Sequence, residues 1–329
     1  MPRASATVAA SAARSRDLRS STIIVTGGAG FLGGAISSKL ATLGATVIVP
    51  RRSTCDLRNG EQVRDLLAEH RPDIVVHAAW TGGGIGFARK HPAQMAHDNV
   101  VMAAHVIDAC RACGVSKFVG IGSICSYPKY TEVPFQEARL WDGYPEETNA
   151  AYAMAKRMML VLTQAYHQEY GLRGIHLLMG NLYGPRDNFD PEHGHVIPGM
   201  IRKLLFAREA NAPNVTMWGD GSPTREFLYV EDAGDAVVRA IEHYDEPDPV
   251  NIGSGEEISI AALARTIARL VGYEGEIRWD PAMPNGQPRR HLDVSRAAQA
   301  FGFRAKIRLE DGLKQTIAWY ESQATVPEA

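Results

Sequence analysis

A short β-branched run at residues 22–25 leads straight into Thr26-Gly27-Gly28-Ala29-Gly30-Phe31-Leu32-Gly33, and a helical pattern follows over 34–43. Few folds accept strand, glycine-rich turn and helix in that order. Gly27, Gly30 and Gly33 fall at a GxxGxxG spacing. Glycines there allow a tight turn and a close approach of backbone to a pyrophosphate, which sits at the positive end of the helix. The stretch Gly27, Gly30, Phe31, Leu32 and Gly33 is therefore expected to hold a dinucleotide.

The rest of the first half repeats this rhythm. Strands are expected at 46–49, 73–79, 117–121 and 174–179, with helices at 60–69, 99–113 and 151–170 between them. Such alternation predicts an α/β fold, a Rossmann-type doubly wound parallel sheet. The second strand ends in Arg51-Arg52 and carries no acid for a ribose 2′-hydroxyl. Two guanidiniums suit a 2′-phosphate, so NADP is favoured over NAD. Asp56 and Leu57 stand where an adenine is contacted, and small Ala78 and Ala79 leave room for the cofactor. Residues 81–87 are too glycine-rich for regular structure.

After residue 187 the texture changes. A helix at 195–207 is interrupted early by Pro198. Strands at 215–218 and 225–230 follow, then a helix at 232–243, a strand at 250–253 and a helix at 258–271. Residues 279–290 read as a loop. The expected division is a mobile arm at 1–20, a dinucleotide unit at 21–187 plus 225–254, and a smaller C-terminal α/β substrate domain at 188–224 plus 255–329.

The 329 residues carry a formal net charge of −2, so no nucleic-acid partner is implied. No apolar run is long enough to span a membrane. Four cysteines do not make a disulfide framework in a chain this long, and a reducing cytoplasm is expected. Cys110 and Cys113 lack a second ligand pair, so no metal site is expected.

Residues 122–129, Gly-Ser-Ile-Cys-Ser-Tyr-Pro-Lys, follow the strand at 117–121. In an α/β sheet, ligands bind outside such strand ends. In extended chain Ser123 and Cys125 would point the same way. Downstream, Tyr152 and Lys156 are four residues apart on one helix face. An ammonium nearby draws a phenol toward phenolate, and the phenol can then exchange a proton with a carbonyl or alcohol. Ser123 can hydrogen-bond the same oxygen.

The turn at 26–33, Ser123 and the Tyr152/Lys156 pair together resemble the extended short-chain dehydrogenase/reductases that act on nucleotide sugars. GSICSYPK at 122–129, NLYGPRDNFDPEHGHVIP at 181–198, WGDGSPTREFLYVED at 218–232 and PNGQPRRHLDV at 284–294 are similar to the GDP-L-fucose synthases. The resemblance implies NADPH-dependent conversion of GDP-4-keto-6-deoxy-D-mannose to GDP-L-fucose, by epimerisation at C3 and C5 and then reduction at C4. It implies Cys125 as base and His195 as acid for epimerisation, with His193 a lesser rival. Ser123, Tyr152 and Lys156 would serve the C4 ketone. Asn181, Leu182 and His195 would also contact the cofactor. Lys203, Trp218, Arg225, Asn285 and Arg290 would hold the GDP-sugar, and Asn149 and Asn181 would line the sugar site. A homodimer through the helices at 99–113 and 152–170 is implied as well.

Several positions depart from that pattern. Ile124 replaces a serine, Ser126 an aliphatic residue, Lys203 an arginine and Asn285 an aspartate. Ala29 stands where an arginine is common, which weighs against NADP, although Arg52 keeps a 2′-phosphate position. Residues 83–87 look more like GDP-mannose 3,5-epimerase, which keeps NAD bound. That epimerase, and an enzyme that only reduces C4 of a GDP-6-deoxy-4-keto sugar or heptose, are the alternatives.

Overall fold

The computed structural model describes residues 16–83, 85–190, 194–283 and 285–324. In chain order the first half comprises β1 (Thr22–Thr26), α1 (Phe31–Thr42), β2 (Thr46–Ile48), α2 (Gly60–His70), β3 (Ile74–His77), α3 (Ile85–Lys90), α4 (Pro92–Ala112), β4 (Lys117–Ser123), α5 (Ala150–Tyr170) and β5 (Gly174–Met179). Then come β6 (Asn181–Tyr183), α6 (Val196–Glu209), β7 (Asn214–Trp218), β8 (Thr224–Tyr229), α7 (Val230–His243), β9 (Val250–Ile252), β10 (Glu257–Ser259), α8 (Ile260–Val271), β11 (Glu276–Asp280), β12 (Arg289–Arg290), α9 (Ser295–Phe301) and α10 (Leu309–Ala324).

The main sheet is parallel, in the order β2-β1-β3-β4-β5-β9. Its strands are continuous apolar runs because both faces are covered: Ile23, Ile24, Val25, Ile74, Val75 and Val76 are wholly buried. Helices α1 and α7 close one face through Ile36, Leu40, Val237 and Ile241. Helices α2, α4 and α5 close the other through Val63, Val106, Ile107 and Met159. From β1 the chain steps to β2 on one side and β3 on the other. The crevice between β1 and β3 is thus the switch point, where this architecture binds ligands.

The smaller unit joins β6, β8, β10 and β12 in one sheet and β7 with β11 in another, over a core of Ile201, Leu204, Met217, Leu263, Ile267 and Leu313. β8 therefore hydrogen-bonds into the smaller sheet, although its residues were expected with the dinucleotide unit. Conversely, Ala297 and Phe301 of α9 pack into the main core. The chain crosses between the units more often than its hydrophobic pattern reveals.

Other expectations also need correction. Residues 16–20 of the expected arm are anchored, because Leu18 is buried in the main core and the Arg16 amide donates to the Glu242 carbonyl; residues 1–15 lie outside the described residues. The helix expected from 99 starts at Pro92, and α8 starts at Ile260 because β10 takes the preceding residues. Pro198 does not interrupt α6. It occupies the first turn, where an amide has no intrahelical partner to lose. The glycine-rich stretch ends in a helix, α3, anchored by buried Ala88. The expected loop at 279–290 begins with the end of β11 and finishes in β12.

Candidate active site

The glycines of the turn are required by packing. Gly27 has φ +70°, and a Cβ there would lie 2.7 Å from the Ala79 nitrogen. At Gly33 a Cβ would lie 2.1 Å from the Gly27 carbonyl oxygen. The turn is thus pressed against both the end of β3 and the start of α1. Gly30 is the N-cap of α1, and no side chain caps that helix. An uncapped helix start behind a glycine-rich turn fits a pyrophosphate. Phe31 and Leu32 form the first helical positions.

Arg51 and Arg52 are exposed after β2. Asp56 is gripped by Arg58, through Nε–Oδ1 at 2.9 Å and Nη2–Oδ2 at 2.6 Å. Arg58, with help from Arg52, holds the carboxyl down at about 2. Leu57 is buried with α2 and α4. The Ala78 and Ala79 amides donate to the Thr26 carbonyl and hydroxyl, which ties the β3 end to the turn.

β4 ends at Ser123, but the chain does not stay extended. Residues Ile124–Ser126 form one turn of 3-10 helix, with Ser123 Oγ accepting from the Cys125 amide at 3.2 Å. The expected alternation of Ser123 and Cys125 is therefore replaced by a tight turn. Its physical reason is burial: Ile124 packs with Tyr127, Phe135, Leu140 and Leu160, while Cys125 stays partly exposed. The isoleucine that departs from the family pattern is thus buried in this turn. Arg157 Nε locks its end by donating to the Ser126 carbonyl at 2.7 Å.

Tyr152 and Lys156 lie on α5 beside this turn. The Tyr152 side chain lies beside Ser123. Lys156 Nζ donates to the Ile121 carbonyl at 2.8 Å and lies 5.7 Å from the Tyr152 ring centre. Desolvation pushes the phenol up, the Cys125 thiol nearby adds to this, and the Ser123 side chain only partly opposes it. In the chain alone, burial thus holds the phenol above its ordinary value, the direction that suits a proton donor. Burial also lowers Lys156 to about 8. The indole of Trp80, just past β3, is 5.4 Å from the Tyr152 ring at 56°.

Cys125 connects this group to a cationic one. Arg290 Nη1 donates to Cys125 Sγ at 3.6 Å, while its Nε donates to Gln287 at 2.7 Å. Arg290 is the register partner of Arg225, through the pairing of β12 with β8. Burial, and then Arg290 beside it, lower Arg225 to about 10. The neighbouring Arg289 is neutralised by Glu257 at 2.6 Å. Among the described residues no carboxylate pairs with Arg225 or Arg290. Two adjacent guanidiniums without a carboxylate suit a diphosphate.

His195 is the N-cap residue of α6. Its Nδ1 lies 3.1 Å from Oδ1 of Asp187, a buried carboxylate. That hydrogen bond raises the imidazole pKa against the opposing cost of burial. No contact among the described residues joins His195 to Cys125 or Tyr152. The rival His193 lies outside the described residues, as do Gly84 and Pro284 of the quoted motifs. Lys203 Nζ donates to the Thr216 carbonyl, next to exposed Trp218 on β7. Asn285 Oδ1 accepts the Asp220 amide at 2.8 Å and so holds the turn after Trp218. Asn181 donates to the Glu226 carbonyl at 2.9 Å, and Leu182 packs on the main core. Asn149 donates to Glu146 at 3.3 Å at the start of α5.

Sequence reasoning missed Asp187, Trp80 and Gln287. Asp187 lies inside a quoted motif, eight residues before His195, so a carboxylate-to-histidine search would have found it. The contacts of Trp80 and Gln287 are tertiary and leave no local signal.

The nucleotide turn, the Ser-Tyr-Lys group and the paired arginines place the molecule among dinucleotide-dependent enzymes of sugar nucleotides. The chain belongs to the NAD dependent epimerase/dehydratase family, whose model matches residues 23–253, and within it to the GDP-L-fucose synthase-like members. It is 42% identical to the GDP-L-fucose synthase of Sinorhizobium fredii over 300 residues, covering 91% of this chain and 94% of that protein. A GDP-L-fucose synthetase from Naegleria fowleri bound to NADP superimposes with a TM-score of 0.86 at 27% identity, covering 96% of this chain and 99% of that one. A GDP-6-OMe-4-keto-L-xylo-heptose reductase from Campylobacter jejuni gives 0.87 at 26% identity, covering 93% and 99%. The resemblance and the fold class read from the sequence are borne out.

Proposed function

We propose that this chain converts GDP-4-keto-6-deoxy-D-mannose to GDP-L-fucose, with NADPH as reductant. The observation that supports the reading is the grouping of Tyr152, Ser123, Cys125 and Arg290 at the end of β4, with the Cys125 amide on Ser123 Oγ and Arg290 Nη1 at Cys125 Sγ. It places a protonated phenol and a cation-contacted thiol at one strand end.

The C4 ketone makes the C3 and C5 protons acidic by stabilising an enolate. Cys125 removes a proton from each carbon, with Arg290 Nη1 3.6 Å from its sulfur. His195 returns a proton on the opposite face. Its Asp187 partner favours the protonated form and, at Nδ1, leaves Nε2 to face the substrate. Tyr152 then donates its proton to the C4 oxygen, with Ser123 steadying that oxygen. The dinucleotide supplies the hydride to C4 when it is bound at the turn after β1. Arg225 and Arg290 hold the diphosphate, with Lys203, Trp218 and Asn285 closing the nucleotide end. Arg52 favours a 2′-phosphate on the cofactor. Residues 21–187 and most of 225–254 form the cofactor unit in this reading, and the remainder binds substrate.

The enzyme acts in the cytoplasm as a homodimer. No helix among the described residues is long and apolar enough to cross a membrane. Met154, Met158 and Val161 make an exposed apolar stripe on α5 that a second copy would cover. A monomer by light scattering would remove the dimer from the proposal.

Incubation with GDP-4-keto-6-deoxymannose in D2O tests the activity. Deuterium at C3 and C5 with stoichiometric loss of NADPH is expected. NADPH loss without deuterium would leave a C4 reductase, the activity named for the heptose enzyme of similar fold. Deuterium without NADPH loss would indicate an epimerase.

A further inference from the structure

The indole of Trp80 is held in place by four separate features. Upstream, the Ala78 and Ala79 amides are fixed on Thr26. Downstream, buried Asn99 clamps both backbone groups of Thr81: its Oδ1 accepts the Thr81 amide at 3.0 Å, and its Nδ2 donates to the Thr81 carbonyl at 2.7 Å. Asn99 is itself steadied by donating to the Met95 carbonyl at 2.6 Å. Finally, a Cβ at Gly82 would lie 1.9 Å from the indole ring, so the ring reaches its position only because residue 82 has no side chain.

All this positioning leads to an aromatic ring that is not buried. Trp80 remains 43% exposed while one side of it meets Tyr152. A tryptophan recruited for core packing would be covered; one fixed at a site and left open has a face to offer. The phenol beside it is the group that must reach the reacting carbonyl. Whatever ring carries that carbonyl therefore lies against both Tyr152 and the open indole face. A pyranose has an apolar face of C–H bonds, and the electron-rich face of an aromatic ring attracts such polarised hydrogens.

We propose that Trp80 is the stacking platform for the hexose ring of the sugar nucleotide. It sets how that ring lies against Tyr152, and so contributes to sugar specificity. This inference rests on the function proposed above. A nicotinamide stacked on the indole is the competing occupant, and the test separates the two.

Calorimetric titrations of the full chain would use GDP and the stable product GDP-L-fucose, each with NADP+ present, and NADP+ alone. For Trp80→Ala, GDP-L-fucose affinity is expected to fall about five- to tenfold. Affinities for GDP and for NADP+ should stay within about twofold, and Trp80→Phe should recover most of the loss. Equal loss for GDP and GDP-L-fucose, no loss for either, or loss confined to NADP+ would each overturn the assignment. The functional reading fails separately: wild-type protein that binds GDP and GDP-L-fucose equally makes no sugar contact at all. Wild-type protein that discriminates them, with Trp80→Ala discriminating just as well, sinks only the role of Trp80.

Discussion

Asp187 lies behind His195, with its Oδ1 3.1 Å from the imidazole Nδ1. One oxygen thus fixes the ring's orientation, leaves Nε2 as the nitrogen that can serve a substrate, and raises the pKa of the cation. The sign for catalysis follows. An acid must be protonated, so its step slows as pH rises through its pKa, and a raised pKa carries activity to higher pH. Asp187→Asn keeps the shape and removes the charge. The basic limb of the exchange rate should then move to lower pH. An unmoved limb, with the rate merely scaled, would leave Asp187 a structural role only.

Cys125 and Tyr152 are close in space yet assigned to different half-reactions, so their variants should separate them. Cys125→Ser should lower deuterium entry at C3 and C5 by about a hundredfold or more, while reduction of pre-epimerised substrate largely survives. Tyr152→Phe should do the reverse, slowing C4 reduction by about a hundred- to ten-thousandfold while deuterium still enters. Measuring exchange by NMR and reduction by NADPH absorbance on the same samples checks both. Equal loss of both activities in either variant would refute the division of labour.

Arg225 and Arg290 share a strand register, no carboxylate among the described residues pairs with either, and each is expected to contact the diphosphate. Arg225→Lys keeps a charge but loses the planar fork. It should raise KM for the GDP-sugar about tenfold with a smaller change in kcat. Arg290→Lys should affect both, because the guanidinium also contacts Cys125. If Arg290→Lys changed KM alone, its contact with the thiol would have no catalytic weight.

What could be read from the chain before its fold depended on how local the cause was. Ile74, Val75 and Val76 announce a strand because a sheet covered on both faces accepts only apolar side chains. Gly27 and Gly33 are legible because the clash that forbids a Cβ lies within the same turn or on the next strand. Tyr152 and Lys156 are legible because helical spacing puts them together. By contrast, Arg290 meets Cys125 across 165 residues. The Asp187–His195 contact spans only eight residues within one quoted motif and was within reach of the sequence. The 3-10 turn at Cys125 was hidden because Ile124 gives no sign of which way it will bury. The extended reading failed for that reason, and the burial that raises the Tyr152 phenol comes from elements distant in sequence.

The last prediction concerns stability, and it turns on a buried cation outside the site. Lys117, at the start of β4, is fully buried beneath the C-terminal end of α7. Its Nζ donates to the carbonyls of Ala240, Ile241 and Tyr244 at 3.1, 2.8 and 2.6 Å, and to Asp245 at 2.9 Å. An ammonium there gives the Ile241 and Tyr244 carbonyls a donor, adds to the Tyr244 amide at the Ala240 carbonyl, and complements the negative end of the helix. Lys117→Met should therefore cost about 2 kcal/mol in urea unfolding, because the carbonyls lose their donor inside the protein. Asp245→Asn, at a partly exposed carboxylate, should cost about 1 kcal/mol or less. The pH dependence has a definite sign. Burial lowers Lys117 to about 8, whereas an unfolded lysine titrates near ~10.4. Between those values the unfolded chain binds more protons, so this group's contribution to stability grows as pH rises. The gap between wild type and Lys117→Met should accordingly widen from about pH 8 to about pH 10. A gap that is constant across that window would contradict the depressed pKa, and a variant as stable as wild type would remove Lys117 as the cap of α7.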